Sequence, residues 1–289
     1  MQESLSIVIP CFNEEDYINI LIEDIKESFL DLENLEIILV DDGSANYLSD
    51  NINPQQELNI QIIRNDINVG QTESLNKGFK IAKNSVIGIL DADGQNPPQE
   101  LRKMYNLLLE KNLDAVIGYR QNRQDNLFKT IPSKIANKFF RLLSKSKIKD
   151  LGCSLKVIKK SYLLSISLDG DLHRFIAPIL EKRNLKLLQV PTVHLERTTG
   201  KTNYGLNRTI PVLIDSLYFY FTNGFLTPKR YVLGKISFYF LSIFSLLSVF
   251  VLYQKVYLDI FVHRNPLFLI AIVFLLAATQ VFFSSFENK

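Results

Sequence analysis

Asp91-Ala92-Asp93 is the segment of this sequence with the sharpest capacity for chemistry. In an extended segment residues i and i+2 project to the same side. Asp91 and Asp93 would then present two carboxylates together, with the Gln95 amide oxygen nearby. Such an oxygen set suits a hard divalent cation, Mg²⁺ or Mn²⁺. A cation held there could neutralise a diphosphate leaving group. The simpler reading is a β-turn after a strand, with Asp93-Gly94 as the turn dipeptide. Placement favours the chemical reading. Pro10-Cys11-Phe12-Asn13-Glu14, Asp41-Asp42-Gly43-Ser44 and residues 91–95 each follow a β-rich run. Asp42 is placed to accept hydrogen bonds from a base or ribose. Arg120 and Arg123 follow a further such run, and Lys134, Arg174, Arg197 and Lys201 come later. Arg and Lys are natural partners of phosphate, although each alone is as readily a solvated surface charge. Gly70, just before a helical pattern, could let backbone approach a ligand. His173 and His194 lack the spacing of a metal-ligand pair and are expected to be structural or substrate-positioning.

The elements that must position these residues are short. Apolar runs occupy 5–10, 35–40, 59–63, 85–90 and 114–118. Helix-compatible patterns fill 14–29, 71–83 and 98–111. This alternation predicts an α/β domain with a mostly parallel sheet covered by helices. The runs are nearly continuous in apolar residues, as strands buried on both faces are. In such a sheet, ligands bind beyond the carboxyl ends of the strands, where the acidic segments would converge. No G-x-G-x-x-G follows the first strand, and no G-x-x-x-x-G-K-[ST] occurs anywhere, which argues against a dinucleotide oxidoreductase and a P-loop ATPase.

The 289-residue chain has room for one large domain and an appendage. Its net charge of +3 is unevenly spread. Residues 1–50 hold thirteen acids and one basic residue, whereas 119–149 hold nine basic residues and one acid. Cys11 and Cys153 form no disulfide framework or metal motif, which fits a reducing compartment. No signal peptide is visible at the start. Residues 236–253 and 266–286 carry no charge and are long enough to span a bilayer as a hairpin. A buried helical hairpin is the alternative. Lys229, Arg230 and Lys235 before the first span, and Lys289 after the second, place the N-terminal domain in the cytoplasm, with Lys255 and Arg264 in the outer loop as opposing signals. Residues 128–145 read as a basic amphipathic helix suited to anionic headgroups, with Ile131, Ile135, Phe139 and Leu142 on one side. Residues 210–226 are rich in aromatic residues, as a membrane interface is.

Together the motifs resemble the polyprenyl-phosphate glycosyltransferases among the family 2, GT-A-type inverting enzymes. The matching pieces are IVIPCFNEED (7–16), LVDDGS (39–44), NVGQTESLNKGFKIA (68–82), LDADGQNPP (90–98), GYRQNRQD (118–125), DLGCSLK (150–156), HRFIAP (173–178) and GKTNYG (200–205). Each is weak alone, and the ordered set is specific. The resemblance implies a GT-A domain over 1–207, a juxtamembrane segment over 208–232 and two transmembrane helices over 233–289. It implies that Pro10, Phe12, Glu14, Val40, Asp42, Gly70, Asp91 and Ala92 bind a nucleotide-sugar, preferably a UDP-sugar, with Arg197 and Lys201 clamping it. Asp91, Asp93 and Gln95 would hold Mg²⁺ or Mn²⁺. Arg120, Arg123 and Lys134 would meet the phosphate of a polyprenyl (undecaprenyl-type) lipid. Asp93, Arg120 and Asp150 would form the reacting centre, Asp150 as an orienting group or base. Gly94, where relatives usually carry Leu, and Ser154, often Gly or Met, depart from the pattern. The implied setting is a bacterial-type inner membrane, multi-pass, with a role in cell-envelope glycan synthesis or modification. No nucleic-acid partner is expected, and a membrane-side dimer or tetramer is compatible with the resemblance. A processive polysaccharide synthase would need more spans and a Q-x-x-R-W motif, and this chain has no Trp. A non-catalytic membrane scaffold is the reading from another class, and the retained ligand set weighs against it.

Overall fold

The computed structural model describes residues 4–52, 58–121, 140, 146–166, 168, 170, 172–195 and 229–285, with side chains in the last stretch from 233. The chain divides into two compact units, Met1–Phe219 and Tyr220–Lys289. Their boundary falls within the segment 208–232 expected at the membrane interface. Of the expected basic helix at 128–145, only Phe140 is described. It is helical and buried against Phe175, with ring centroids 5.1 Å apart.

In the first unit a seven-stranded sheet has the order β3-β2-β1-β4-β6-β5-β7. Its strands are β1 (Ser4–Cys11), β2 (Asn34–Asp41), β3 (Asn59–Arg64), β4 (Val86–Ile89), β5 (Ala115–Arg120), β6 (Lys156–Lys159) and β7 (Leu187–Thr192). All neighbouring pairs are parallel except those of β6, which runs antiparallel between β4 and β5. The alternation of strand side chains divides the core in two. Leu5, Ile7 and Ile9 of β1 point to one face, under α1 (Glu15–Ser28) and α4 (Pro98–Glu110). Val8, with Ile38 and Val40 of β2, points to the other, under α3 (Gln71–Ile81). α3 lies close on β1 because residue 78 is Gly. A β-carbon there would overlap the Val8 side chain.

The register sets the working edge. Cys11, Asp41 and Arg64 stand side by side at the carboxyl ends of β1, β2 and β3. Val8 pairs with Ile89, so the chain leaves β4 towards Asp91 at the same edge. Arg64 forms an ion pair with buried Asp41, donates to the Ser44 carbonyl at 2.7 Å and covers the Tyr47 ring at 4.0 Å. The Ser44 N–H also donates to Asp41 at 2.9 Å. Burial alone would raise the Asp41 carboxyl, but the bonds from Ser44 and Arg64 hold it below its ordinary 3.8.

In the second unit, α7 (Lys229–Leu258) and α8 (Pro266–Ser284), labelled after α2 (Leu48–Asn51), α5 (Lys160–Leu164) and α6 (Ile176–Lys182), pack together as a hairpin. Ser237 donates to the Ala278 carbonyl at 2.9 Å, and Phe240 meets Phe274. Asn265 caps α8 by accepting from the Leu267 N–H at 3.1 Å, and Pro266 fits its first turn. Leu233–Leu258 and Pro266–Ser284 are long and apolar enough to cross a membrane. The 19 residues of α8 rise about 28 Å. Large apolar side chains such as Leu246, Val256, Leu269 and Leu276 stay exposed.

Two outcomes are expected. Gly78→Ala should destabilise the first unit by about 1–3 kcal/mol, because α3 must lift from Val8. A thermal melt in detergent checks this, and an unchanged midpoint would refute the close packing. Asp41→Asn should cost about 1–3 kcal/mol at neutral pH. A carboxylate with a lowered folded pKa stabilises above its unfolded value and loses that contribution as pH falls through the folded one. The difference between variant and wild type should therefore shrink below about pH 4 in denaturant titrations at several pH values.

Candidate active site

The loops beyond the strand ends are bound to one another through polar side chains. Asn13, in the left-handed region at φ 53°, donates its N–H to Ser44 Oγ at 2.9 Å. Its Oδ1 accepts from the Ala45 N–H at 2.9 Å. This fastens the ends of β1 and β2 together. Asp42 accepts from Asn65 Nδ2 at 2.8 Å, from the Val69 N–H at 3.0 Å and from the Gly70 N–H at 2.9 Å. Asn65 is held in turn by Lys77 Nζ at 2.6 Å. Asp42 was expected to face a base or ribose, and its carboxylate is here engaged in fixing the loop that leads into α3. Gly70 takes φ 94°, with open space where a β-carbon would stand, so backbone can approach a ligand there.

Phe12 is 41% exposed at the rim, with Pro10 and Glu14 half-buried beside it. Val40 and Ala92 are also expected to contact the nucleotide. Both side chains are buried in the core, Val40 under α3 and Ala92 on the opposite face of the sheet. Strand alternation turns Val40 inward while Asp41 and Asp42 continue to the edge.

Asp91 accepts from Gln71 Nε2 at 2.9 Å, and Asp93 accepts from the Gln95 N–H at 3.1 Å. Burial, then the charge of Asp91, pushes the Asp93 carboxyl from 3.8 up to about 7. Residues 92 and 93 form a turn rather than the extended segment expected, and the two acids still repel. Two neighbouring carboxylates of this kind are a donor set suited to a hard divalent cation. Mg²⁺-type sites use one or two carboxylates and fill their remaining positions with water and substrate phosphate. Among the described residues no group of three His, Cys, Asp or Glu gathers at metal-binding distance. Asp91, Asp93 and the Gln95 amide supply oxygen donors of the kind Mg²⁺ or Mn²⁺ takes. Gln95 is tied to Leu195, donating from Nε2 to its carbonyl at 3.3 Å, and the Leu195 N–H donates to the Gln95 carbonyl at 2.8 Å. Gln95 Oε1 is the atom through which it would join a metal. Gly94, at φ 71°, has the Tyr17 ring where a β-carbon would point, at 2.6 Å. The departure from Leu is thus matched by an aromatic ring that fills the space.

Arg120 and Asp150 form one unit. Arg120 Nε and Nη2 donate to the two Asp150 oxygens at 2.7 and 2.9 Å, and the Gly152 N–H donates to Asp150 at 3.0 Å. A carboxylate held bidentately is committed to orienting its guanidinium. His173 Nδ1 lies 2.8 Å from Thr72 Oγ1, and His194 Nδ1 lies 3.3 Å from Asn96 Oδ1. The first contact joins the turn at Leu172–Phe175 to α3, and the second joins the segment after β7 to the turn before α4. Arg123, Lys134, Arg197 and Lys201 lie outside the described residues.

Asn65, Gln71, Asn96 and Lys156 are site residues that reading the sequence did not single out. Asn65 follows β3 and could have been found by the rule that directed attention to Asp41 and Asp91. Gln71 and Asn96 act through partners distant in sequence, Asn96 donating to Ser154 Oγ at 2.9 Å, and Lys156 acts through carbonyls of the loop just before it.

The family model for glycosyl transferase family 2 matches residues 6–165, which span the sheet from β1 to β6 and the residues above. A dodecaprenyl-phosphate galacturonate synthase of Rhizobium johnstonii is 29% identical over 284 residues, covering 96% of this chain and 84% of that one. An undecaprenyl-phosphate 4-deoxy-4-formamido-L-arabinose transferase of Pectobacterium carotovorum is 30% identical over 220 residues, covering 74% and 67%. Among solved structures, the glucosyl-3-phosphoglycerate synthase of Mycobacterium tuberculosis, in complex with Mn²⁺, UDP and phosphoglyceric acid, superposes with a TM-score of 0.60 at 16% identity, over 74% of this chain and 77% of that one, and shows the shared GT-A-type fold. With its parallel sheet, its acidic strand ends and a family match over more than half its length, this chain belongs to glycosyl transferase family 2.

Proposed function

We propose that the protein moves a sugar from a nucleotide-sugar, preferably a UDP-sugar, to the phosphate of a polyprenyl lipid at the cytoplasmic face of a bacterial-type inner membrane. The observation that carries this reading is one edge of the sheet holding both the Asp91/Asp93 pair and the Arg120–Asp150 pair. The first suits a diphosphate with its cation, and the second offers a guanidinium suited to a phosphate. The polyprenyl phosphates in the names of both relatives support the acceptor, and the two apolar helices support a membrane anchor with two spans.

The chain's residues divide the work. The Gly70 backbone and the Phe12 rim receive the nucleoside, with Asp42 holding the loop between them. Asp91, Asp93 and Gln95 Oε1 would hold Mg²⁺ or Mn²⁺, which supplies charge neutralisation to the departing diphosphate. Arg120 aligns the acceptor phosphate. By analogy with a phosphomonoester of second pKa about 6, that phosphate is largely dianionic at neutral pH and needs little help from a base. Asp150 therefore serves by orienting Arg120. Attack from the face opposite the leaving diphosphate inverts the anomeric centre, and the protein's main contribution is to hold two anions in line. Arg197 and Lys201 would close on the donor, and Arg123 and Lys134 would assist at the acceptor, by the family resemblance.

The direct test incubates the purified full-length protein with undecaprenyl phosphate, Mg²⁺ or Mn²⁺ and a panel of labelled UDP- and GDP-sugars. Label should enter the organic phase from one donor and stop with a chelator. Donor binding without transfer to any lipid phosphate would refute the acceptor. Asp93→Ala should abolish transfer while membrane insertion stays normal, and near-normal turnover would remove Asp93 from the metal site. Deleting residues 230–289 should lower use of the long-chain acceptor more than donor binding. Equal retention of both would count against anchoring.

A further inference from the structure

Lys156 is a charged residue in the middle of the sheet that the mechanism above does not use. It begins β6 and pairs with Ile89 of β4 on one side and Ile117 of β5 on the other. It therefore stands between the strand that leads to Asp91 and the strand that ends at Arg120. Its side chain is buried, 4% exposed, on the sheet face shared with Ile89, Ile117 and Ile158. Burial pulls its pKa down. An ammonium in such surroundings is costly unless hydrogen-bonded, and an apolar side chain of similar length would pack there at less cost.

The partners of the ammonium indicate what it does. Lys156 Nζ donates to the Cys153 carbonyl at 2.6 Å and to the Ser154 carbonyl at 3.4 Å. Both carbonyls belong to the short loop that runs from Asp150 into β6. That loop has tethers at its other points. Asp150 grips Arg120, Gly152 lies so close to the guanidinium that a β-carbon would overlap Arg120 Nη2, and Ser154 Oγ accepts from Asn96 in the turn after Asp93. One loop thus links the Arg120 pair to the Asp93 turn, and the lysine holds it from beneath.

We propose that Lys156 is a positioning residue for transfer to the acceptor, pinning the loop of residues 150–154 so that Asp150 presents Arg120 in a fixed orientation. This rests on the reading that Arg120 meets the acceptor phosphate. The experiment compares full-length wild type with Lys156→Met, which removes the donor and the charge, and Lys156→Arg, which keeps both. Hydrogen–deuterium exchange of residues 150–155 needs no substrate. It should quicken about tenfold or more in the Met variant, with β1 and β2 unchanged. The acceptor kcat/KM should fall about ten- to a hundredfold, the range for losing charge-assisted hydrogen bonds. Donor binding should stay within about threefold, and the Arg variant should recover most of the loss. Unchanged exchange at 150–155 overturns the proposal. So does an equal loss of donor binding and acceptor use, or a Met-variant defect that Arg does not relieve. If Lys156→Met does not fold, Lys156→Gln replaces it with the same expectations, and failure of both to fold overturns the proposal by making the residue a fold determinant. A wild type that transfers nothing to lipid phosphate defeats the acceptor reading instead, and the exchange result still decides whether Lys156 pins the loop.

Discussion

Like charges meet at the carboxyl edge of this sheet, and most of the local architecture answers them. Asp41 has a guanidinium and a backbone N–H, Asp42 has an amide and two backbone N–H groups, and Asp91 has the Gln71 amide. Asp93 has a backbone N–H and a neighbouring negative charge, and its carboxyl rises to about 7. Asp41 and Asp42 after β2 thus have more partners than Asp91 and Asp93 after β4. The least compensated acid is where an arriving cation gains most. A diphosphate and a phosphate, both anionic, must meet over this edge, so the placement of positive groups decides what the site can do.

The topology delivers those groups from two directions. Parallel strands bring the ends of β1, β2 and the chain after β4 to one edge, which collects acids. β6 runs the other way, so its first residue, not its last, lies at that edge. The loop entering β6 therefore carries Asp150, with Lys156 at its end, to the place where the turn after β4 holds Asp93 and β5 ends at Arg120. One antiparallel strand among parallel ones thus lets a single loop contact both halves of the site. Gly78 contributes at a distance. By letting α3 lie on Val8, it fixes the helix whose first residue, Gln71, holds Asp91.

A lipid-borne acceptor cannot leave its bilayer, which gives the two C-terminal helices a physical purpose in the proposed reaction. Their composition meets a requirement that a soluble core would not impose. Long apolar faces remain exposed, and polar side chains such as Ser237 and Asn265 are spent on bonds within the hairpin. The same constraint simplifies the chemistry, since a phosphate nucleophile needs orientation more than deprotonation. An Asp150 committed to Arg120 is consistent with that need.

Periodicity in the sequence located the first five strands and the helices α1, α3 and α4 to within a few residues, because their apolar residues cluster or recur at strand or helix spacing, in the buried β1 and β2 and also in the more exposed β3. It also placed Asp42, Asp91, Asp93 and Arg120 at strand ends, and it marked two apolar runs where α7 and α8 form. β6 and β7 escaped it. Lys156-Val157-Ile158-Lys159 is too short and too charged to read as a strand, and β7 is half-buried and contains Pro191. Strand order, the antiparallel insertion of β6 and every pairing across the site were decided by the tertiary structure alone. So was the inward turn of Val40 and Ala92, and so was the engagement of Asp42 with its own loop. A sequence records which groups are available along one dimension. Whether a carboxylate meets a ligand, a cation or its own backbone depends on which distant segments the sheet brings beside it.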